Sequence, residues 1–206
     1  MTSLRLRLAA AWLPEWMLKS QLERVSDLTT HALLSLLKEK IPDHSFRTIP
    51  PLRVLSGSIE DCRGAMALNH NTLVQSLVEA IGEKDAIDLG RQALFKAGLE
   101  IGEESRARLG VGEKIDDLIT AARLLYKVLG INFAVQQNSD EFKMEVARCA
   151  LSKWYSEQTC RMLSAVDEGV VRGLNHKIGM RFDRMITSGF ATCIARIWID
   201  PGGLTC

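Results

Sequence analysis

No stretch of this 206-residue chain approaches the roughly 20 consecutive apolar residues that a bilayer-spanning helix needs. Neither sign of charge prevails, because 26 Lys and Arg face 25 Asp and Glu. No global field therefore draws the chain to nucleic acid or to an anionic membrane. Aromatic residues are only 6% of the chain, and the basic residues Arg5, Arg7, Arg106 and Arg108 are dispersed among apolar or acidic neighbours. That pattern excludes a stacking platform for single-stranded nucleic acid. A G-x-G-x-x-G loop after a strand, a G-K-[ST] loop and a serine nucleophile elbow are all missing. Cysteine pairs at C-x2-C spacing are missing too, which removes the usual signature of structural zinc.

What cysteine there is points elsewhere. Five residues (Cys62, Cys149, Cys160, Cys193 and Cys206) make an odd number, in a chain too large to need disulfide stapling. Free thiols in a reducing compartment are the expectation. Residues 4–13 are apolar, but Arg5 and Arg7 interrupt them and Pro14-Glu15-Trp16 offers no small-residue cleavage site. A cytoplasmic protein is therefore expected rather than an exported one.

An apolar fraction of 47% and a charged fraction of 25% suit a globular chain with one substantial core. Residues 14–40 read as a long helix: Leu18, Leu22, Val25, Leu28, Ala32, Leu33 and Leu36 form one stripe, with Ser20, Ser26 and Lys38 off it. Pro42 stops this helix, and residues 44–51 are a proline-punctuated connector. Ser58 caps a helix that runs to Ile81, before Gly82. Further helices follow over 84–109 and 115–129; Gly90 and Gly98 within the first signal close packing or a break, and Gly130 ends the second. The period then shortens. Ile131, Phe133 and Val135, then Phe142, Met144 and Val146, alternate around turn residues 137–140, giving a hairpin. A helix over 157–174 leads to two closing strands, one lined by Met180, Phe182, Met185 and Ile186, the other by Ile194, Ile197 and Ile199.

Helices first and strands later imply an α+β fold, with an antiparallel sheet packed against helices and a helical N-terminal half. Residues 1–50 form a helical arm and linker, and residues 51–206 the α+β domain. The arm packs on the core or mediates a homo-oligomer.

Candidate chemistry concentrates after residue 149. Cys149, Cys160 and Cys193 all stand at element termini, where a layered fold gathers its edges around a pocket. At a helix N-terminus, the Cys160 thiolate would be favoured by the dipole. Asp167 lies about two turns further on, and Asn175 at the helix end. Taken singly, each thiol is equally a small buried hydrophobe, the reading kept for Cys62 and Cys206. The three cysteines with His176 also make a conceivable Cys3His zinc set. His31, His44 and His70 read as surface or satisfied core residues.

Taken together, the runs CALSKWY from Cys149, CRMLSAVD from Cys160 to Asp167, GLN ending at Asn175, RMITSG from Arg184 to Gly189, and Thr192-Cys193 resemble the C-terminal signature of the L-2-amino-thiazoline-4-carboxylate hydrolase family. The fold is similar as well to vinyl-reductase-type small-molecule-binding domains. The chain departs from the family pattern at Ser164, Leu174, His176 and residues 190–192. The resemblance implies a hydrolase that opens a cyclic amidine or amide with water, acting on a small molecule and on neither nucleic acid nor membrane. It implies Cys193 as nucleophile, with Cys160 second, and Asp167 as the carboxylate that holds the amidinium. Asn175, Arg184 and Cys149 are the implied substrate contacts. Two alternatives stand beside this: a divalent metal, zinc or manganese, held by the cysteines to activate water, and a non-catalytic small-molecule or metal sensor on the same fold.

Overall fold

A computed structural model describes residues 3–41, 49–138 and 141–199. His44, most of the expected connector, Ser139 and Asp140 of the expected turn, and Cys206 lie outside the described residues.

A short helix α1 (Leu4–Ala11) precedes α2 (Glu15–Lys40), α3 (Ile59–Ile81), α4 (Glu83–Leu109) and α5 (Ile115–Leu129). The α3 start is a full capping box: Ser58 Oγ accepts from the Asp61 amide, and Asp61 Oδ2 accepts from the Ser58 amide at 2.9 Å. Gly130, at φ 69°, ends α5 in the left-handed region. Along α2, Leu22, Leu33, Leu36 and Leu37 are buried. Ser26 is buried too, at 4% exposure, against the expectation that it falls off the apolar stripe. The cause is that α2 packs against α3, α4 and α5 together, so its buried face is wider than one stripe. The arm expected over the first 50 residues thus sends Leu33, Leu36 and Leu37 into the main core, and α1 adds Leu6.

A hairpin of β1 (Ile131–Asn138) and β2 (Glu141–Cys149) leads to helix α6 (Glu157–Leu174), then β3 (Ile178–Arg184) and β4 (Cys193–Ile199). The sheet is antiparallel throughout, in the order β1-β2-β4-β3. Phe142, Met144 and Val146 on β2 and Cys193, Ala195 and Ile197 on β4 are buried at every second position, as one helix-covered face requires. The third strand is shorter than its apolar pattern suggests. It ends at Arg184, and Met185 and Ile186 belong to a turn that includes a 3-10 segment.

Helices α4 and α6 cross at backbone contact. A Cβ on Gly98 would stand 2.1 Å from the Val166 carbonyl oxygen, and one on Gly173 would stand 2.4 Å from that of Leu99. Gly102 and Gly169 meet the opposing backbone in the same way. Helix α4 is unbroken at Gly98, so that glycine serves close packing. This seam fixes α6, which carries Cys160 and Asp167, against the helical layer.

Candidate active site

A cavity of about 80 Å³ lies where α2, α3, α5 and α6 meet one end of the sheet. It has room for a few waters or a small ligand. Three of its lining groups are thiols. Cys149 closes β2, Cys193 opens β4, and Cys160 faces inward from the first turns of α6. Antiparallel pairing sets Cys193 opposite Val146, which brings the two strand-end cysteines to the same edge of the sheet. Asp167 completes the wall two turns along α6.

The electrostatics are those of a largely apolar pocket shielded from bulk solvent. Burial raises the Cys149 thiol to about 11 and the Cys160 thiol to about 12. The helix N-terminus does not make Cys160 a ready thiolate, because burial keeps the thiol high even with the Thr187 hydroxyl favouring the charged form. Cys193 is also raised by burial, but the Ile186 amide donates to its Sγ at 3.3 Å and favours the thiolate. Burial lifts Asp167 to about 7, with the Tyr126 hydroxyl partly opposing and the Glu168 charge adding to the rise. Asp167 has some accessible surface, but it faces cavities rather than open solvent. Tyr126 Oη is buried near this carboxyl without a partner in hydrogen-bonding geometry.

The opposite wall is a relay around His70, which the sequence presents as a surface or satisfied core residue. His70 Nε2 lies 2.8 Å from Thr29 Oγ1, and its Nδ1 lies 2.8 Å from Tyr155 Oη. Thr29 Oγ1 already donates to the Val25 carbonyl at 2.8 Å, so it accepts from His70 Nε2–H. Nδ1 then accepts from the Tyr155 hydroxyl, leaving the Tyr155 oxygen free to accept from a cavity ligand. Burial holds His70 down to about 4, hence neutral. Residues 29, 70 and 155 are far apart in the chain, and no local pattern announces the trio.

Asn175 and Arg184 do not line the cavity. Asn175 is buried at the end of α6, where its Oδ1 accepts from the Lys177 amide at 3.0 Å. Arg184 is exposed, stacked 5.6 Å over the Phe190 ring. Among the described residues, no Lys or Arg lines the cavity. Ser164 does line it and accepts from Arg91 at 2.7 Å. Cys62 belongs to a separate apolar cluster with Leu22 and Met66.

The donor set does not fit a metal. Among the described residues, no three His, Cys, Asp or Glu side chains come together at ligating positions. His176 is on the surface, 3.9 Å from Glu103, so the Cys3His set is not formed.

Helices over an antiparallel sheet define an α+β protein with a thiol- and carboxyl-lined pocket at the sheet end. The chain belongs to the L-2-amino-thiazoline-4-carboxylic acid hydrolase family, whose profile matches residues 63–197. No curated protein matches it in sequence. Among solved structures, it is similar in fold to trafficking protein particle complex subunit 3 from Naegleria fowleri, crystallised covalently bound to palmitic acid. That match has a TM-score of 0.54 and 14% identity, over 66% of this chain and 94% of that one. The phenol-responsive sensory domain of the transcription activator PoxR gives a TM-score of 0.49 and 15% identity, over 82% of this chain and 89% of that one. An H-NOX protein from S. oneidensis gives 0.46 and 14%, over 84% and 97%.

Proposed function

We propose that the protein is a small-molecule hydrolase that opens a cyclic amidine, with Cys193 as nucleophile and Asp167 as both the amidinium-binding group and the proton carrier. The observation that carries this reading is the convergence of Cys149, Cys160, Cys193 and Asp167 on one cavity. Asp167 near 7 is half ionised at neutral pH, which suits a group that must take and return a proton. Cys193 has a backbone N–H donated to its sulfur, the feature that a developing thiolate needs.

In this mechanism the ionised Asp167 pairs with the amidinium and accepts the Cys193 thiol proton as Sγ adds to the amidine carbon. The ring C–S bond breaks, and the ring sulfur departs with the proton from Asp167. Water then adds to the sulfur-linked carbon, giving its proton to Asp167. The C–Sγ bond breaks, Cys193 regains the proton, and a urea leaves. Cys160 and Cys149 wall the pocket and serve the substrate as protonated, polarisable contacts. Asn175 and Arg184 are assigned to the α6–β3 junction and the strand end. No step runs through a metal.

The test is Cys193→Ser. It is expected to abolish opening of 2-aminothiazolines while leaving the thermal midpoint within a few degrees; wild-type turnover in this variant would refute the nucleophile role. A second reading, a non-catalytic binding pocket, is favoured by the protonated state of Cys149 and Cys160 at neutral pH. Tight binding of amidines with no turnover would select it.

A further inference from the structure

The thiol cavity has a larger neighbour. A chamber of about 260 Å³ opens between α1, α2, α4, α5 and α6. Its lining is largely apolar, with Ala9, Leu13, Ile101, Leu124 and Val170 among the lining residues. Gln21, Arg24, Glu104 and Arg108 add polar groups to the same lining. A concave space with a mainly apolar lining suits an apolar guest.

The two spaces share Val25, Tyr126, Leu129, Val166 and Asp167. At that junction sits Tyr126 Oη, 4% exposed as a residue, near enough to Asp167 to favour its charged form but, among the described residues, without a partner in good hydrogen-bonding geometry. A buried hydroxyl in this state asks for a polar group from a ligand. Asp167 beside it offers a carboxyl to an N–H donor. Among the described residues, the lining of the thiol cavity holds no Lys or Arg, so it provides no counter-ion for a carboxylate on the ring.

We propose that one elongated molecule occupies both spaces, its N–H-rich head against Asp167 and Tyr126 and its apolar tail in the larger chamber. The substrate class is then a cyclic amidine bearing an alkyl or aryl substituent, rather than a compact ring carrying a carboxylate. This rests on the amidine reading for the identity of the head, while the tail site stands on the chamber itself.

Calorimetric titration with acetamidine, hexanamidine and decanamidine tests the proposal on the full chain. Affinity is expected to rise roughly two- to fourfold per added methylene, and decanoate should bind more weakly than decanamidine. Ala9→Trp, on the chamber wall, should flatten this length dependence while leaving acetamidine binding unchanged; Val170→Phe is the second variant, filling the chamber from α6. Equal affinities for acetamidine and decanamidine would overturn the tail site, and tighter binding of decanoate would overturn the head assignment. Length-dependent binding with no turnover of any cyclic amidine keeps the chamber and removes the hydrolase reading. Turnover of 2-aminothiazoline without length dependence does the reverse.

Discussion

Asp167 and His70 titrate in opposite senses across the same pocket. Asp167 is raised to about 7 by burial, so the folded protein holds its proton more tightly than the unfolded chain. Its contribution is fully present below about pH 4 and is lost as pH rises through 7. His70 is lowered to about 4; its contribution is present above about pH 6.5 and is lost as pH falls toward 4. Between about pH 4 and 6.5 the two slopes oppose each other, so the wild-type profile is nearly flat there. Asp167→Asn separates them. Its stability advantage over the wild type is expected to widen by about 3 kcal/mol between pH 5 and pH 9, as read from urea denaturation at the two values. A pH-independent difference would show that the carboxyl ionises freely. For turnover, kcat/KM should climb with pH up to about 7 and then level, since Asp167 must be ionised to take the thiol proton.

At the scale of the element, the α4–α6 seam holds the site in place. Gly98→Ala sets a methyl 2.1 Å from the Val166 carbonyl oxygen, and neither backbone yields cheaply. The expected loss is about 3 kcal/mol, measured by thermal or urea unfolding, with reduced turnover because Asp167 is the next residue along α6. An unchanged midpoint would mean that the helices part without cost. Much of this level was legible beforehand. Ser58 and Gly130 mark helix ends by local chemistry, and the alternation at Phe142, Met144 and Val146 marks a strand. The meeting of the three thiols was legible as a possibility, because each stands near an element terminus. The His70 trio, the burial that holds the Cys160 thiol protonated, and the distance of Arg184 from the pocket were not. Each depends on which elements pack together, and the chain's local pattern does not encode that.

At the scale of the whole molecule, the N-terminal helices are part of the core. Leu6, Leu22, Leu33 and Leu37 are each 0% exposed, and Thr29 supplies one end of the His70 relay. Burial of a leucine stabilises by about 1.5–3 kcal/mol, so four of them match the total stability of an ordinary domain, about 5–15 kcal/mol. A chain cut before Pro42 is therefore expected to lose its cooperative melting transition, followed by circular dichroism. A wild-type-like transition would instead make these helices an appendage whose work is assembly. The shorter cut, removing residues 3–11, separates stability from recognition. It deletes one buried leucine and the Ala9 wall of the larger chamber, so the protein should still fold. Binding of decanamidine should fall toward that of acetamidine, because the tail has lost an enclosing wall while the head contacts at Asp167 and Tyr126 persist.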